Sequence, residues 1–390
     1  MSGKLYHFSG LARRCLSGAL LGAFLAGACL AQTSVPQGEV PLEPVVADEI
    51  LDLAIEHCRR GENVQAQAIF KAIKEQLDPP RSHLEIIAQH EAVGCQMPAY
   101  SPSVRWNVQA GGGYDTNVNQ GILSRYMVFG SGLNEIELEL GDAYKPVPSA
   151  FAVAGLDASF RFGDFAVGQA AIQHRSNASL PALNLTTLTA GVVRPFVILD
   201  RPGRLQVDVG EAWLRGSRYQ QIGAAGVQWL LTESGQPWLA NVATLRNRYP
   251  SQPDQDSQLT EAGIWREQML APTFGVFGGI AALYDNALRN RPGGDRAGYR
   301  VQLGLSTGWG EWLIQPRINM LRWRSSEVYS PGLVDVVRRH QLTQIGLQLT
   351  RPIAQGQQVV VEWRINDARD SVSLFSYRGQ SLGVYWRAQR

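Results

Sequence analysis

The sequence predicts a mainly β protein, a transmembrane antiparallel β-barrel of about fourteen strands preceded by a small all-α domain. Three observations lead there. From residue 102 onward apolar and polar residues alternate, giving each segment one greasy and one wet face. The alternating runs are about 11–16 residues long, whereas globular strands have ~5–6 and a tilted membrane strand needs ~9–11. The connections also alternate, with brief turns at one end and mostly longer loops at the other, as in outer-membrane barrels.

Composition narrows the class further. The chain has 390 residues and a net charge of +2, so it offers no large basic face and nucleic acid is excluded as a partner. Charged residues are 18% of the chain, below the ~25% of ordinary soluble domains. Beyond residue 31 no uncharged apolar run reaches the ~18 residues of a membrane helix, which excludes a polytopic helical protein.

Residues 1–31 read as a secretory signal peptide. Lys4, Arg13 and Arg14 precede a short apolar run that ends in small residues at Ala31. Ala26-Gly27-Ala28-Cys29 is close to a lipobox but lacks the usual branched residue three before the cysteine. Export leaves Cys58 and Cys95, an even pair in an oxidising compartment, expected as a disulfide. The alternative is a Cys2His2 metal site with His57 and His90.

A Pro-rich linker (32–46) leads to a helical domain over 47–100, expected in the periplasm. Its first helix carries Ile50, Leu51, Leu53, Ala54 and Ile55 and ends at Gly61. The second spans about Asn63 to Leu77, with Ala66, Ile69, Phe70 and Ile73 at helical spacing, and stops at Asp78-Pro79-Pro80. The third begins near Ser82, an N-cap with Glu85 in capping-box position. This spacing resembles one tetratricopeptide repeat plus the first helix of another, which suits either a structural cap or a docking platform.

The barrel occupies 102–390. Candidate strands fall near 103–114, 149–162, 164–176, 183–198, 203–216, 218–232, 236–248, 258–270, 273–286, 297–308, 311–324, 337–351, 356–367 and 373–388. All ten tryptophans lie in this part, and Trp238, Trp309 and Trp312 flank short turns where a periplasmic aromatic girdle belongs. Closure satisfies every backbone N–H and C=O without water and leaves no edge. Lipids of the outer membrane and the barrel-assembly machinery are the partners such a chain implies.

In the first barrel strand, Val104, Trp106, Val108 and Ala110 take the lipid side, and Arg105, Asn107 and Gln109 the lumen side. It closes on Gly111-Gly112-Gly113-Tyr114-Asp115-Thr116-Asn117-Val118-Asn119. Parity puts Asp115, Asn117 and Asn119 at the outer mouth, either as strand-stopping turn residues or as contacts for a client or gate. The glycines allow a neighbouring backbone or plug to approach closely. Arg300, Arg317, Glu362 and Arg364 are further lumen-facing candidates, of mixed sign.

This GYD-x-NVN sequence, ending the first barrel strand after repeat-type helices, resembles the surface lipoprotein assembly modifier (Slam) family. The likeness runs through the long loop with Ile136-Glu137-Leu138-Glu139-Leu140 to Ala152–Phe162, and beyond that it is one of architecture. It implies a fourteen-stranded barrel that helps a lipoprotein or other secreted client reach the cell surface. The helical domain here is much shorter than in well-known members, and the chain ends Trp386-Arg387-Ala388-Gln389-Arg390 without a terminal aromatic. The alternatives are a passive porin and an exopolysaccharide-export pore.

Enzyme chemistry is not expected. His174 lies two residues before Ser176, but no carboxylate completes a triad. The sequence contains no phosphate-binding loop, metal-ligand cluster or dinucleotide fingerprint, so no cofactor is expected.

Overall fold

The alternating runs pair into one continuous circuit of ladders. A computed structural model describes residues 42–59, 62–76, 81–92, 104–129, 136–162, 166–198, 201–231, 238–271 and 274–389. The barrel strands are β1 (Arg105–Asp115), β4 (Ser149–Phe162), β5 (Ala166–Asn177), β6 (Leu185–Ile198), β7 (Arg201–Leu214), β8 (Ser217–Leu230) and β9 (Trp238–Arg248). They continue as β10 (Ser257–Ala271), β11 (Phe274–Ala287), β12 (Arg296–Trp309), β13 (Trp312–Ser330), β14 (Val334–Ala354), β15 (Gln357–Asp370) and β16 (Tyr377–Gln389). Each pairs antiparallel with its sequence neighbour, and β16 returns to β1 with Gly113 opposite Gly383, closing a barrel of fourteen strands.

Following the ladders once around the barrel returns to β1 about 18 residues farther along, which sets a strand tilt of roughly 45° and a backbone radius of about 14 Å. Eight-stranded barrels fill with side chains and sixteen-stranded ones hold water, so this diameter leaves room for a lumen.

Turn chemistry matches the geometry. Arg215 and Gly216 both have positive φ, as a two-residue hairpin turn with the strand twist demands. Gly310 and Gly356, also at positive φ, make the tight turns from β12 to β13 and from β14 to β15. The long connection after β1 contains a hairpin the alternation did not reveal, β2 (Tyr126–Phe129) with β3 (Ile136–Glu139).

Three further differences from the sequence reading have local causes. β13 runs on from the expected end at 324 to Ser330, and β14 begins at Val334 rather than 337, because bulges between Arg324 and Ser330 let the ladder absorb a stretch whose alternation is broken. Residues 373–375 form a 3-10 turn rather than strand, and β16 starts at Tyr377. The first helix begins at Leu42, inside the segment read as linker, because Pro44 falls in its first turn, where a missing N–H costs nothing.

That helix is α1 (Leu42–Arg59), followed by α2 (Asn63–Gln76) and α3 (Arg81–Ala92). Leu51, Ala54, Ile55, Cys58, Ala66, Phe70, Ile73 and Ile87 form their common core. Cys58 is disulfide-bonded. Its expected partner Cys95, like the signal segment and the end of the helical domain, lies outside the described residues.

Candidate functional site

Which face of each strand lies inside follows from contacts that skip a strand. Arg317 on β13 donates to Glu362 on β15 at 3.1 Å, and Arg364 donates to the same carboxylate oxygen at 2.5 Å. β14 passes between them with Gly346, where a Cβ would sit 3.2 Å from the Arg317 side chain. Gln169 on β5 reaches Asp208 on β7 at 2.9 Å across Gly191 of β6, where a Cβ would lie 2.0 Å from the carboxylate. Arg175 on β5 pairs with Asp115 on β1 across β4 at 3.0 Å, and Arg300 on β12 pairs with Glu261 on β10 across β11. Next-but-one strands converge only on the concave side, so these polar residues line the interior.

Along the middle of the strands the outward parity is mostly apolar. Leu156, Val207, Ile280, Leu303, Ile345 and Val384 alternate with the interior residues and are all exposed. Trp238, Trp309 and Trp312 lie on this face beside the short turns, with Trp309 opposite Trp312. Trp265 and Trp323 instead share the inner parity.

The sequence-selected charges therefore resolve into distinct surroundings. Arg317, Glu362 and Arg364 form one triad; Arg300 belongs to a separate pair nearer β10. Arg105, exposed at the start of β1, is opposite Ser159 and shares a face with Asn107, which donates to Asp157 at 3.4 Å. The side chains of Arg317 and Arg364 are 32% and 35% exposed, so water reaches them inside the barrel wall. Pairs in such surroundings contribute about 1 kcal/mol or less each, and their effect is mainly to cancel local field. Asp157, Asp208, Glu261 and Arg387, which donates to Gln109 at 2.8 Å, also take the inner parity. Parity extended to every strand would have found them.

At the end of β1 the motif is a fastening. Asp115 Oδ1 accepts the Asn117 backbone N–H at 2.9 Å, which turns the chain. The buried Asn117 amide donates to the carbonyls of Gly121 and Arg378, both at 2.9 Å, and its oxygen accepts the Gly121 N–H at 2.6 Å. Asn119 donates to the Lys145 carbonyl at 2.8 Å and accepts the Val147 N–H at 2.9 Å. Asp115, Asn117 and Asn119 thus tie the long loop to β16 and to the start of β4. Gly111 and Gly113 lie on the inner face under the rings of Tyr385 and Phe151, where a Cβ would come within 2.7 Å of either ring. Gly112 and Tyr114 take the outer parity, and Tyr114 is exposed there.

The loop end holds further buried ion pairs, one local to β11 and its loop and one between residues far apart along the chain. Arg291 and Asp285 form a buried pair at 2.6 Å. Asp370 pairs with Arg338 at 2.8 Å and His340 at 3.0 Å, and the Arg338 guanidinium lies 3.6 Å from the Phe375 ring centroid. Beside it Ile122, Val334, Val372, Leu374 and Phe375 form an apolar cluster that roofs this side of the mouth with the long loop. In the loop after β11, Asp295 accepts the Ala287 N–H and the Tyr284 hydroxyl, each at 2.8 Å. The Ala287 N–H is the first cause holding its carboxyl below the ordinary value, followed by the Tyr284 hydroxyl.

His174 and Ser176, screened above as hydrolase candidates, lie on the outer face, and His174 Nδ1 meets Thr186 Oγ1 at 2.9 Å. Among the described residues no group of His, Cys, Asp and Glu is arranged to hold a metal.

No family model and no curated protein sequence matches the chain. Solved structures do. OmpF of Salmonella typhi in complex with daunomycin is 9% identical, with 75% of this chain and 100% of that chain covered and a TM-score of 0.38. Pseudomonas aeruginosa OpdK with vanillate is 11% identical over 74% of this chain and 98% of its own, at 0.37. Outer-membrane expressed OmpT of Vibrio cholerae is 8% identical over 75% and 99%, at 0.38. Identities and scores this low carry nothing about cargo or chemistry; the barrel class stands on the closed register described above.

Proposed function

We propose that this chain is a bacterial outer-membrane conduit whose lumen passes polar solutes without a chemical step. The observation that carries the reading is the segregation of the two strand faces, apolar and exposed outside, charged and water-accessible inside. A large apolar side chain left in water forfeits about 1.5–3 kcal/mol, so a girdle of such residues calls for hydrocarbon around it. The interior meets the opposite demand, since guanidinium and carboxylate groups in part-exposed pairs require water. Residue 104, where the described barrel begins, and the short turns would face the periplasm, with the helical domain on that side.

Reconstitution into planar bilayers tests the reading. Steady ohmic current steps in KCl are expected. A chain that inserts but never conducts overturns it.

A second reading follows the Slam resemblance, in which the barrel assists a lipoprotein or other secreted client to the surface. The separate helical unit with its own core favours it, because a passive pore has no need of one. The fastening role of Asp115, Asn117 and Asn119 weighs against assigning client contact to that motif. Gene deletion followed by protease shaving of intact cells decides. Loss of one lipoprotein's surface exposure at unchanged total level supports the second reading, and an unchanged surface removes it.

A further inference from the structure

We infer that the lumen selects neutral, hydroxyl-rich solutes of the saccharide class; this rests on the conduit reading and names its cargo. Amides are gathered on the inner parity of the strands, away from their ends. Asn319 on β13, Gln344 on β14 and Asn366 on β15 form a chain across the wall, with Asn319 donating to Gln344 at 3.1 Å and Gln344 to Asn366 at 3.0 Å. One turn nearer the short-turn end, Gln348 donates to Gln315 at 3.3 Å. On another part of the wall Gln228 stands opposite Asn241. Each amide offers both donors and an acceptor, which matches a hydroxyl group in either sense and binds no ion strongly. Asn319 Oδ1 is buried in this belt with no hydrogen-bond partner in the structure.

Two independent features point the same way. Several inner charges are paired with one another, Arg300 with Glu261 and Glu362 with both Arg317 and Arg364, which cancels part of the field an ion would meet there. Inner aromatic rings are also laid against the wall by glycines. The Trp265 indole lies over Gly279, where a Cβ would be 1.9 Å from the ring, and its N–H donates to Asn241 at 2.6 Å. The Tyr385 ring lies over Gly111. A flat ring beside amides offers a face for the C–H side of a pyranose and polar groups for its rim.

The test uses the full-length protein in planar bilayers, with sucrose and a polyether of matching mass without hydroxyls, heptaethylene glycol dimethyl ether, added to the KCl bath. Sucrose should interrupt the KCl current saturably, and the polyether should not. The double variant N319L/Q344L, or W265A alone, should raise the half-blocking sucrose concentration about 3–10-fold, the scale of one lost hydrogen bond. Equal effects of sucrose and polyether on a conducting wild-type barrel overturn the inference and leave the conduit standing. Absence of any current removes the conduit and this inference together. The wild-type comparison decides even where a variant does not fold.

Discussion

Glu362 sits between two guanidinium groups, and Glu362→Gln removes the one negative charge that balances them while keeping the side chain's size. With a backbone radius of about 14 Å, the carboxylate lies about 7 Å from the lumen axis. At the dielectric constant of water a unit charge at that distance is worth about 0.6 kcal/mol to a passing ion. Screening at 0.1 M salt halves this to about 0.3 kcal/mol. Chloride gains and potassium loses that amount, so the chloride-to-potassium permeability ratio should rise about threefold. At 1 M salt, where the Debye length falls to about 3 Å, the rise should nearly vanish. The assay is the reversal potential across a bilayer in a KCl gradient, measured at both ionic strengths. An unchanged reversal potential at low salt, or a shift toward potassium, would refute a water-filled lumen lined by this triad.

Other consequences concern stability and loop order. Asn117→Ala leaves the Gly121 N–H and two carbonyls without their partner and should cost about 1–3 kcal/mol, seen as a lower urea midpoint and faster proteolysis of the loop after β1. Arg291→Ala strands the buried Asp285 carboxylate and should cost about 3–5 kcal/mol, read from the unfolding midpoint in detergent. Asp295 has a carboxyl held below its ordinary value of 3.8, so its hold on the loop is complete above that pH and is lost as pH falls through the lower folded value. The protection factor of the Ala287 N–H, taken relative to its intrinsic exchange rate at each pH, should fall only in that acid range, and Asp295→Asn should abolish that fall.

The architecture was legible because the physics behind it is periodic. Val359, Val361, Trp363 and Ile365 alternate with charged and amide residues over a length that only a tilted span needs, and β15 follows that run. The same parity that placed Arg317, Glu362 and Arg364 on one face also holds for Asp208 and Glu261. What sequence could not show is which of these charges meet, because the pairs reach over a strand and depend on Gly346 or Gly191 leaving space beneath them. The Arg338, Asp370 and Phe375 group was hidden for a related reason, since it assembles from the start of β14, the end of β15 and the loop that follows. The extended hairpin of β13 and β14 escaped because Arg324-Ser325-Ser326-Glu327 breaks the alternation while bulges keep the pairing. For Asp115, Asn117 and Asn119 the residues were legible but their work was not. Turn residues and contact residues look alike until their hydrogen-bond partners are known.

Single-cysteine scanning of β12 tests the two-faced wall most directly. Cysteines placed at 299, 301 and 303 should resist a water-soluble maleimide in liposomes, and those at 300, 302 and 304 should react with it, with a lipid-soluble reagent giving the reverse. Uniform labelling of all six by the water-soluble reagent would show that no hydrocarbon surrounds the barrel.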